Sequence, residues 1–358
     1  MQTDHISIAV DAMGGDFGPE VTVPAAISFL RQTFDAVTNT SSNKKLSRQR
    51  HNIILVGIEE QISPLIKKYD GSDFVSQGCL RIEAASEVVG MDEPPALALK
   101  RKKDSSMRVA INQVKESQAQ ACVSAGNTGA LMATARFVLK TIKGIDRPAI
   151  CSTMPCFDTS QTVHMLDLGA NVDSSPEMLL QFAIMGSVLT EFVDTKDSPR
   201  VALLNVGAEE IKGSEKVKAA SVLLTQSDLN YVGYIESDEI FTGKVDVIVC
   251  DGFEGNVALK ASEGTASMIF NVLKEEFKRT WLSKLAALVS SSVLKSMQTR
   301  LDPRRYNGAT LLGLNGIVVK SHGGTDELGF LHAIQEAARQ AEMNVISHIA
   351  EKYSGYSV

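Results

Sequence analysis

The chain has 358 residues, of which 44% are hydrophobic, 22% charged and only 6% aromatic, and its formal net charge is −6. Length and balance suit a large packed α/β core and argue against intrinsic disorder. The negative charge argues against general nucleic-acid binding, and no run of about 18 apolar residues offers a membrane-spanning helix.

The first residues, Met-Gln-Thr-Asp-His, lack the basic-then-apolar layout of a secretory signal, so a cytoplasmic protein is expected. Ile6–Ala12 reads as the first strand. Directly after it comes Asp11-Ala12-Met13-Gly14-Gly15-Asp16. Paired glycines let a backbone turn sharply and approach a ligand, and flanking carboxylates can orient hydroxyls or amides. A tight turn with a capping Asp fits equally well. The segment from Thr38 to Arg50, rich in Asn, Ser, Lys and Arg, reads as an exposed connection.

Further strands are expected at Asn52–Gly57, Leu80–Ala84, Ala121–Ala125, Ala149–Thr153, Val163–Leu168, Val201–Val206, Tyr231–Tyr234, Val245–Cys250 and Ile317–Lys320. Most are continuously apolar, as strands covered on both faces should be. Helical stretches such as Thr128–Lys143 and Pro176–Val193 lie between them. This alternation predicts a doubly wound, largely parallel sheet in one domain over residues 1–358, with a central cleft. Such sheets bind ligands beyond the carboxyl ends of their strands.

Five more loops follow strand ends. Ser124-Ala125-Gly126-Asn127-Thr128-Gly129 leads into a helix, whose free N–H groups and dipole suit an anion such as phosphate. Asn127 or Thr128 as an ordinary N-cap is the competing reading. Neither a Rossmann nor a Walker motif is present. Asp167-Leu168-Gly169-Ala170-Asn171-Val172-Asp173 places Asp167 at a strand end and Asn171 before the helix opening at Pro176. Asn205-Val206-Gly207-Ala208-Glu209-Glu210-Ile211-Lys212-Gly213 adds a lysine, the cation a phosphate site requires. Asp251-Gly252-Phe253-Glu254-Gly255-Asn256 packs amide donors and a carboxylate into a tight turn, with Lys260 shortly after. Near the end, Lys320-Ser321-His322-Gly323-Gly324-Thr325-Asp326 repeats the theme. His322 sits in a glycine-rich loop rather than on an apolar helix face.

Between Lys274 and Arg305 stand eight Lys or Arg and three acids. Apolar residues recur there at helical spacing, from Ile269 to Trp281 and from Leu285 to Leu294. A basic amphipathic helical hairpin inserted at 265–305 is expected. It either packs on the core or a dimer mate, or meets an acidic protein or an anionic membrane through Lys284, Leu285, Leu288, Val289, Arg300, Arg304 and Arg305. Five scattered cysteines without a C-x-x-C signal neither a disulfide frame nor a zinc site.

Six stretches in this order resemble the PlsX family of acyl carrier protein:phosphate acyltransferases. They are VDAMGGDFGP from Val10, SAGNTGALM from Ser124, LDLGANVD from Leu166, NVGAEEIKG from Asn205, DGFEGNVALKASEG from Asp251 and LLGLNGIVVKSHGGTD from Leu311. The resemblance spans about residues 6 to 345. Asn307 and the Cys151–Pro155 segment depart slightly from the pattern.

It implies a three-layer α/β/α fold related to isocitrate and isopropylmalate dehydrogenases and to phosphate acetyltransferases. It also implies a homodimer, no metal or other cofactor, and peripheral association with the membrane. The acyl phosphate product would pass to a membrane-bound glycerol-3-phosphate acyltransferase for phospholipid synthesis. By position, Lys212 and Asn256 carry over as catalytic or phosphate-holding, with His322 third. Asp11, Gly14, Gly15, Gly126, Asn127, Thr128, Gly129, Asp167, Asn171, Asn205, Asp251 and Gly255 are the expected phosphate- or acyl-binding residues.

Amides of Gly126–Gly129 with Lys212 would hold phosphate, while Asn256, with Asn205, would stabilise the oxyanion formed on a thioester carbonyl. A phosphate acetyltransferase acting on short acyl-coenzyme A is the competing enzyme. A decarboxylating dehydrogenase would need a set of metal-binding aspartates that the sequence does not offer. A non-enzymatic membrane scaffold would leave the polar loops unexplained.

Overall fold

In the computed structural model, which describes residues 5–38, 50–300 and 302–355, the β-branched runs build one eleven-stranded sheet. The 39–49 stretch, expected as an exposed connection, lies outside the described residues. The strands are β1 (His5–Asp11), β2 (Arg50–Gly57), β3 (Leu80–Ala84), β4 (Ala121–Ser124), β5 (Ala149–Pro155), β6 (Thr162–Leu166), β7 (Val201–Leu204), β8 (Tyr231–Ile235), β9 (Val247–Val249), β10 (Ala309–Leu312) and β11 (Ile317–Lys320). Their spatial order is β3-β2-β1-β4-β11-β10-β5-β6-β9-β7-β8. All ten expected strands are present, and β10 is an addition.

The sheet is largely parallel, as predicted, but in two halves. Strands β3, β2, β1, β4 and β11 run in one sense. Strands β6, β9, β7 and β8 run in the other. Antiparallel pairing of β10 with β11 and β5, and of β5 with β6, makes the reversal. The β5–β6 and β10–β11 connections are too short for the crossover that a parallel pair needs.

The helices are α1 (Pro19–Thr38), α2 (Glu59–Lys68), α3 (Ser72–Ser76), α4 (Pro95–Arg101), α5 (Ser106–Lys115), α6 (Thr128–Leu139), α7 (Pro176–Val193), α8 (Glu215–Thr225), α9 (Gly252–Arg279), α10 (Trp281–Val289), α11 (Ser291–Arg300), α12 (Glu327–Glu342) and α13 (Val345–Gly355). Alternate residues of one strand serve opposite faces. Ile8 and Val10 of β1 pack with α1 and α12, while Ala9 packs with α5 and α6. In the other half, Val247 and Val249 pack with α7 and α13. Helices thus cover both faces, which is why the strands read as unbroken apolar runs.

Helix α7 has the predicted limits, with Pro176 in its first turn and Ser175 as its cap. Helix α6 stops at Leu139, short of the expected Lys143, because Lys140 turns to φ 63°. In place of a two-helix hairpin starting near 265, one helix runs unbroken from Gly252 to Arg279, and α10 and α11 follow. Within α9 only Gly252 and Gly255 are buried, and α10 buries nothing. The stripe's Trp281, Leu285, Leu288 and Val289 are exposed rather than set into this chain's core. Among the described residues no helix is long and apolar enough to cross a membrane.

Candidate active site

The loops after β1, β4 and β11 emerge side by side because these strands are neighbours. Gly15 has φ 93°, and a side chain there would meet the Gly323 carbonyl oxygen at 2.9 Å. Glycine is required where two loop backbones approach so closely. The Asp16 amide donates to that same carbonyl at 2.9 Å.

Asp11 closes β1 fully buried. Its Oδ2 accepts from the Ser124 hydroxyl at 2.6 Å, and Ser124 Oγ accepts from the Gly126 amide at 3.0 Å. Gly14 lies against this carboxylate. Burial pushes the Asp11 carboxyl up from its usual value, opposed by Ser106 and Ser124. Ser106 is close enough to favour the charged form, yet Oδ1 accepts no hydrogen bond of ordinary geometry. The anion facing the start of α6 is therefore, in part, the protein's own.

Asn127 is the N-cap of α6: its Oδ1 accepts from the Ala130 amide at 2.9 Å. Its Nδ2 donates to the carbonyls of Met91 at 2.7 Å and Glu93 at 3.1 Å. Thr128 and Gly129 stand exposed on the first turn. His322 is exposed as well. Its amide donates to Asn307 Oδ1 at 3.0 Å, and its Nδ1 accepts from the Gly324 amide at 3.2 Å. In the neutral ring Nε2 then carries the proton, and it has no partner among the described residues. Lys320, at the end of β11, reaches the Ala125 and Ser321 carbonyls.

The loops after β6, β7 and β9 form a second cluster. Asp167 is fully buried and accepts four hydrogen bonds. They come from the amides of Ile150 (2.9 Å), Ala170 (3.0 Å) and Asn171 (2.7 Å) and from Asn171 Nδ2 (2.9 Å). Burial still pushes its carboxyl above the usual value. Asn171 Nδ2 also donates to the Pro148 carbonyl at 2.9 Å.

Asp251 is the N-cap of α9, accepting from the Phe253 amide at 2.9 Å, the Ser174 amide at 2.7 Å and Lys216 at 3.1 Å. Burial would raise this carboxyl, but those donors hold it below its ordinary value. Gly255 rides on the Asp167 carbonyl so closely that a Cβ would lie 1.9 Å from its oxygen. Asp167, Asn171, Asp251 and Gly255 thus form a closed knot that seats the start of α9.

Asn256 follows, exposed over Gly169, with no hydrogen-bond partner among the described residues. Asn205 Nδ2 donates to the Lys212 carbonyl at 3.2 Å, which shapes the loop carrying Lys212. The Lys212 ammonium is half exposed and lies 3.3 Å from Glu209. Lys212 and Gly126–Gly129, expected to share one phosphate, stand at the carboxyl ends of strands that run in opposite senses. Among the described residues no hydrogen bond or ion pair links them.

What spans the two clusters is α9. It begins in the second cluster, carries Asn256, and one turn later places Lys260 within electrostatic reach of Lys320 in the first. On the arm, Lys284 and Arg305 are exposed, and Arg300 donates to the Phe157 carbonyl at 3.0 Å. Arg304 is engaged by Asp302 and Asp326, each at 2.6 Å. Among the described residues no three His, Cys, Asp or Glu side chains converge as a metal site.

Four positions of consequence escape a reading of the sequence as site residues: Ser124, Lys216, Asn307 and Lys320. Lys320 left one trace, a lysine closing an otherwise apolar strand. Asn307 gave none beyond its departure from the family pattern. Its Nδ2 donates to Ser321 Oγ at 2.8 Å and to the Gly329 carbonyl at 2.7 Å, which holds the His322 loop.

A phosphotransacetylase from Streptococcus pyogenes superposes with a TM-score of 0.59 at 17% identity, covering 95% of each chain. The 4-hydroxythreonine-4-phosphate dehydrogenase from Klebsiella pneumoniae superposes with a TM-score of 0.50 at 14% identity, covering 94% of this chain and 99% of that one. The fold is therefore the three-layer α/β/α architecture shared by phosphotransacetylases and this class of dehydrogenase. A family model described as fatty acid synthesis protein matches residues 6–348. The phosphate acyltransferase of Legionella pneumophila (strain Corby) is 53% identical over 353 residues, covering 98% of this chain and 97% of that protein. The chain belongs to this family, the PlsX family, and is an acyltransferase.

Proposed function

We propose that the enzyme transfers a long-chain fatty acyl group from acyl carrier protein to inorganic phosphate, giving acyl phosphate for phospholipid synthesis. The observation that carries this reading is the placement of Asn256. It is an exposed amide with no partner, on the helix that joins two glycine-rich loop clusters. A thioester carbonyl is already electrophilic and phosphate is a competent nucleophile, so positioning and oxyanion stabilisation suffice.

In this reading Asn256 donates to the oxyanion, and Lys212 supplies positive charge on the same side. His322 Nε2 and the loops at Gly14–Gly15 and Gly126–Gly129 receive the phosphate. A phosphate oxygen forms the new C–O bond and the C–S bond breaks. The proton of hydrogen phosphate passes to the departing thiolate, leaving acyl phosphate and free thiol.

The exposed basic and apolar arm of α9–α11 suits an acidic carrier protein or an anionic membrane face. It fits a cytoplasmic homodimer that touches the membrane peripherally and hands its product to a membrane-bound glycerol-3-phosphate acyltransferase. The test is thiol release from palmitoyl acyl carrier protein with and without phosphate, with palmitoyl-coenzyme A and acetyl-coenzyme A alongside. Phosphate-dependent release from the carrier protein is expected. Release from coenzyme A thioesters alone would replace the donor, and release that ignores phosphate would overturn the reading.

A further inference from the structure

Lys320 is only 9% exposed at the end of β11, and its ammonium donates to two neutral carbonyls, Ala125 at 3.4 Å and its neighbour Ser321. An ammonium has three N–H groups, so one is left over, and among the described residues no carboxylate pairs with it directly. A buried charge without an ion pair is costly and is tolerated where something else gains from it. The charged groups that act on Lys320 are Asp11 and Asp16 from the β1 side and Lys260 from α9. Burial foremost, and Lys260 besides, bring its pKa down to about 8 against the pull of the two carboxylates.

Its surroundings are those of a small-anion site. The loops of Gly14–Gly15, Gly126 and Gly323–Gly324 close backbone to backbone beside it. Lys260 of α9 lies within electrostatic reach of Lys320, its own ammonium 2.9 Å from Glu263. Asn256 and Lys260 lie four residues apart on one face of α9, so their positions differ by about 6 Å along the axis. That spacing suits a carbonyl at one and a phosphate at the other.

We propose that Lys320, with Lys260 within electrostatic reach, is the cation that holds the phosphate nucleophile. This rests on the phosphate acyltransferase reading and adds the binding residue that Lys212, placed at the other cluster, does not provide. Lys320 is charged below about pH 8 and neutral above it, so phosphate affinity falls as pH rises through that value.

The experiment measures phosphate KM, acyl-donor KM and thermal midpoint for wild type, Lys320→Met, Lys320→Arg and Lys260→Met between pH 6.5 and 9. Calorimetric titration with inorganic phosphate alone runs in parallel. Lys320→Met should raise phosphate KM roughly ten- to hundredfold, the scale of one hydrogen bond to a charged group, with acyl-donor KM within about twofold. Lys260→Met should raise it less. The wild-type rise in phosphate KM near pH 8 should vanish in Lys320→Arg, which stays charged. Phosphate's own titration is common to all four proteins and cancels.

Unchanged phosphate KM in a folded Lys320→Met would overturn the inference. Should that variant unfold, a pH limb retained in Lys320→Arg would do the same. Wild-type release that ignores phosphate would instead sink the functional reading beneath it.

Discussion

Asp11 and Asp167 are both buried carboxylates that close or follow a strand, yet Asp167 accepts four hydrogen bonds while one oxygen of Asp11 accepts none. The contrast extends to their neighbours. Around Asp167, the Asn171 Nδ2 group and the Asp251 carboxylate are matched within the chain, with the Ser174 hydroxyl the one buried group left over among the described residues, and the result is a rigid seat for α9. Around Asp11, the leftover N–H of Lys320 and the free Nε2 of His322 keep hydrogen-bonding capacity in hand. A buried polar group that is matched holds shape, and one left unmatched costs stability unless a ligand completes it. The comparison assigns architecture to the surroundings of Asp167 at β6 and ligand handling to those of Asp11 at β1, β4 and β11. Asn256, exposed at the edge of the seat, is the exception that serves chemistry.

The sharpest test is Asn256→Ala. Turnover should fall by roughly 10²–10³, the usual loss for one oxyanion donor, while the denaturation midpoint stays put because the side chain has no partner. A variant within twofold of wild-type turnover would remove Asn256 from that role. One residue earlier the outcome should invert. Gly255→Ala places a Cβ 1.9 Å from the Asp167 carbonyl oxygen and should destabilise by about 3 kcal/mol or more, read from urea unfolding.

Acid should attack the knot next. The Asp251 carboxyl is depressed in the folded state, so its contribution is full above the unfolded value of about 4 and is lost as pH falls through the lower folded value. Unfolding free energies from pH 6 to 3 should decline more steeply for wild type than for Asp251→Asn; parallel curves would show that the seat does not depend on this charge. Farther along the same helix, a Cβ at Gly264 meets nothing within 4 Å. Gly264→Ala should therefore stabilise by about 0.5–1 kcal/mol, and a loss would reveal packing against another molecule.

The smallest effect is expected at Arg304. Its partners Asp302 and Asp326 leave it little charge to offer outward, and a part-exposed pair of this kind is worth about 0–1 kcal/mol. Charge reversal at Lys284 or Arg305 should weaken carrier-protein or vesicle binding in a salt-dependent way. Reversal at Arg304 should do so less, as measured by sedimentation at two ionic strengths.

Much of this was legible in the residues alone. Val- and Ile-rich runs marked ten strands because a sheet covered on both faces demands them. Strand β10 escaped because Ala309–Leu312 is four residues long and follows Gly308, which reads as turn. Polar residues after strand ends located both clusters. Their division was hidden, since a parallel reading of the sheet sends every loop to one edge. The short β5–β6 connection was the available clue to the reversal. Nor does sequence distinguish a matched carboxylate from an unmatched one. The Ser174 amide that satisfies Asp251 lies 77 residues away, and the approach is set by how α7 and α9 start side by side.

At 28 residues, α9 is about 42 Å long, and it is gripped only in its first two turns, by buried Gly252 and Gly255 and by Ala258 and Leu259 against the core. It is geometrically a lever whose fulcrum is Gly255. A tilt of about 5° there sweeps the far end through roughly 3 Å, while Asn256, beside the fulcrum, hardly moves. Whatever grips the arm is thus insulated from the oxyanion donor against bending. It can reach that donor only by turning the rod about its own axis, which would swing Asn256 and Lys260 together.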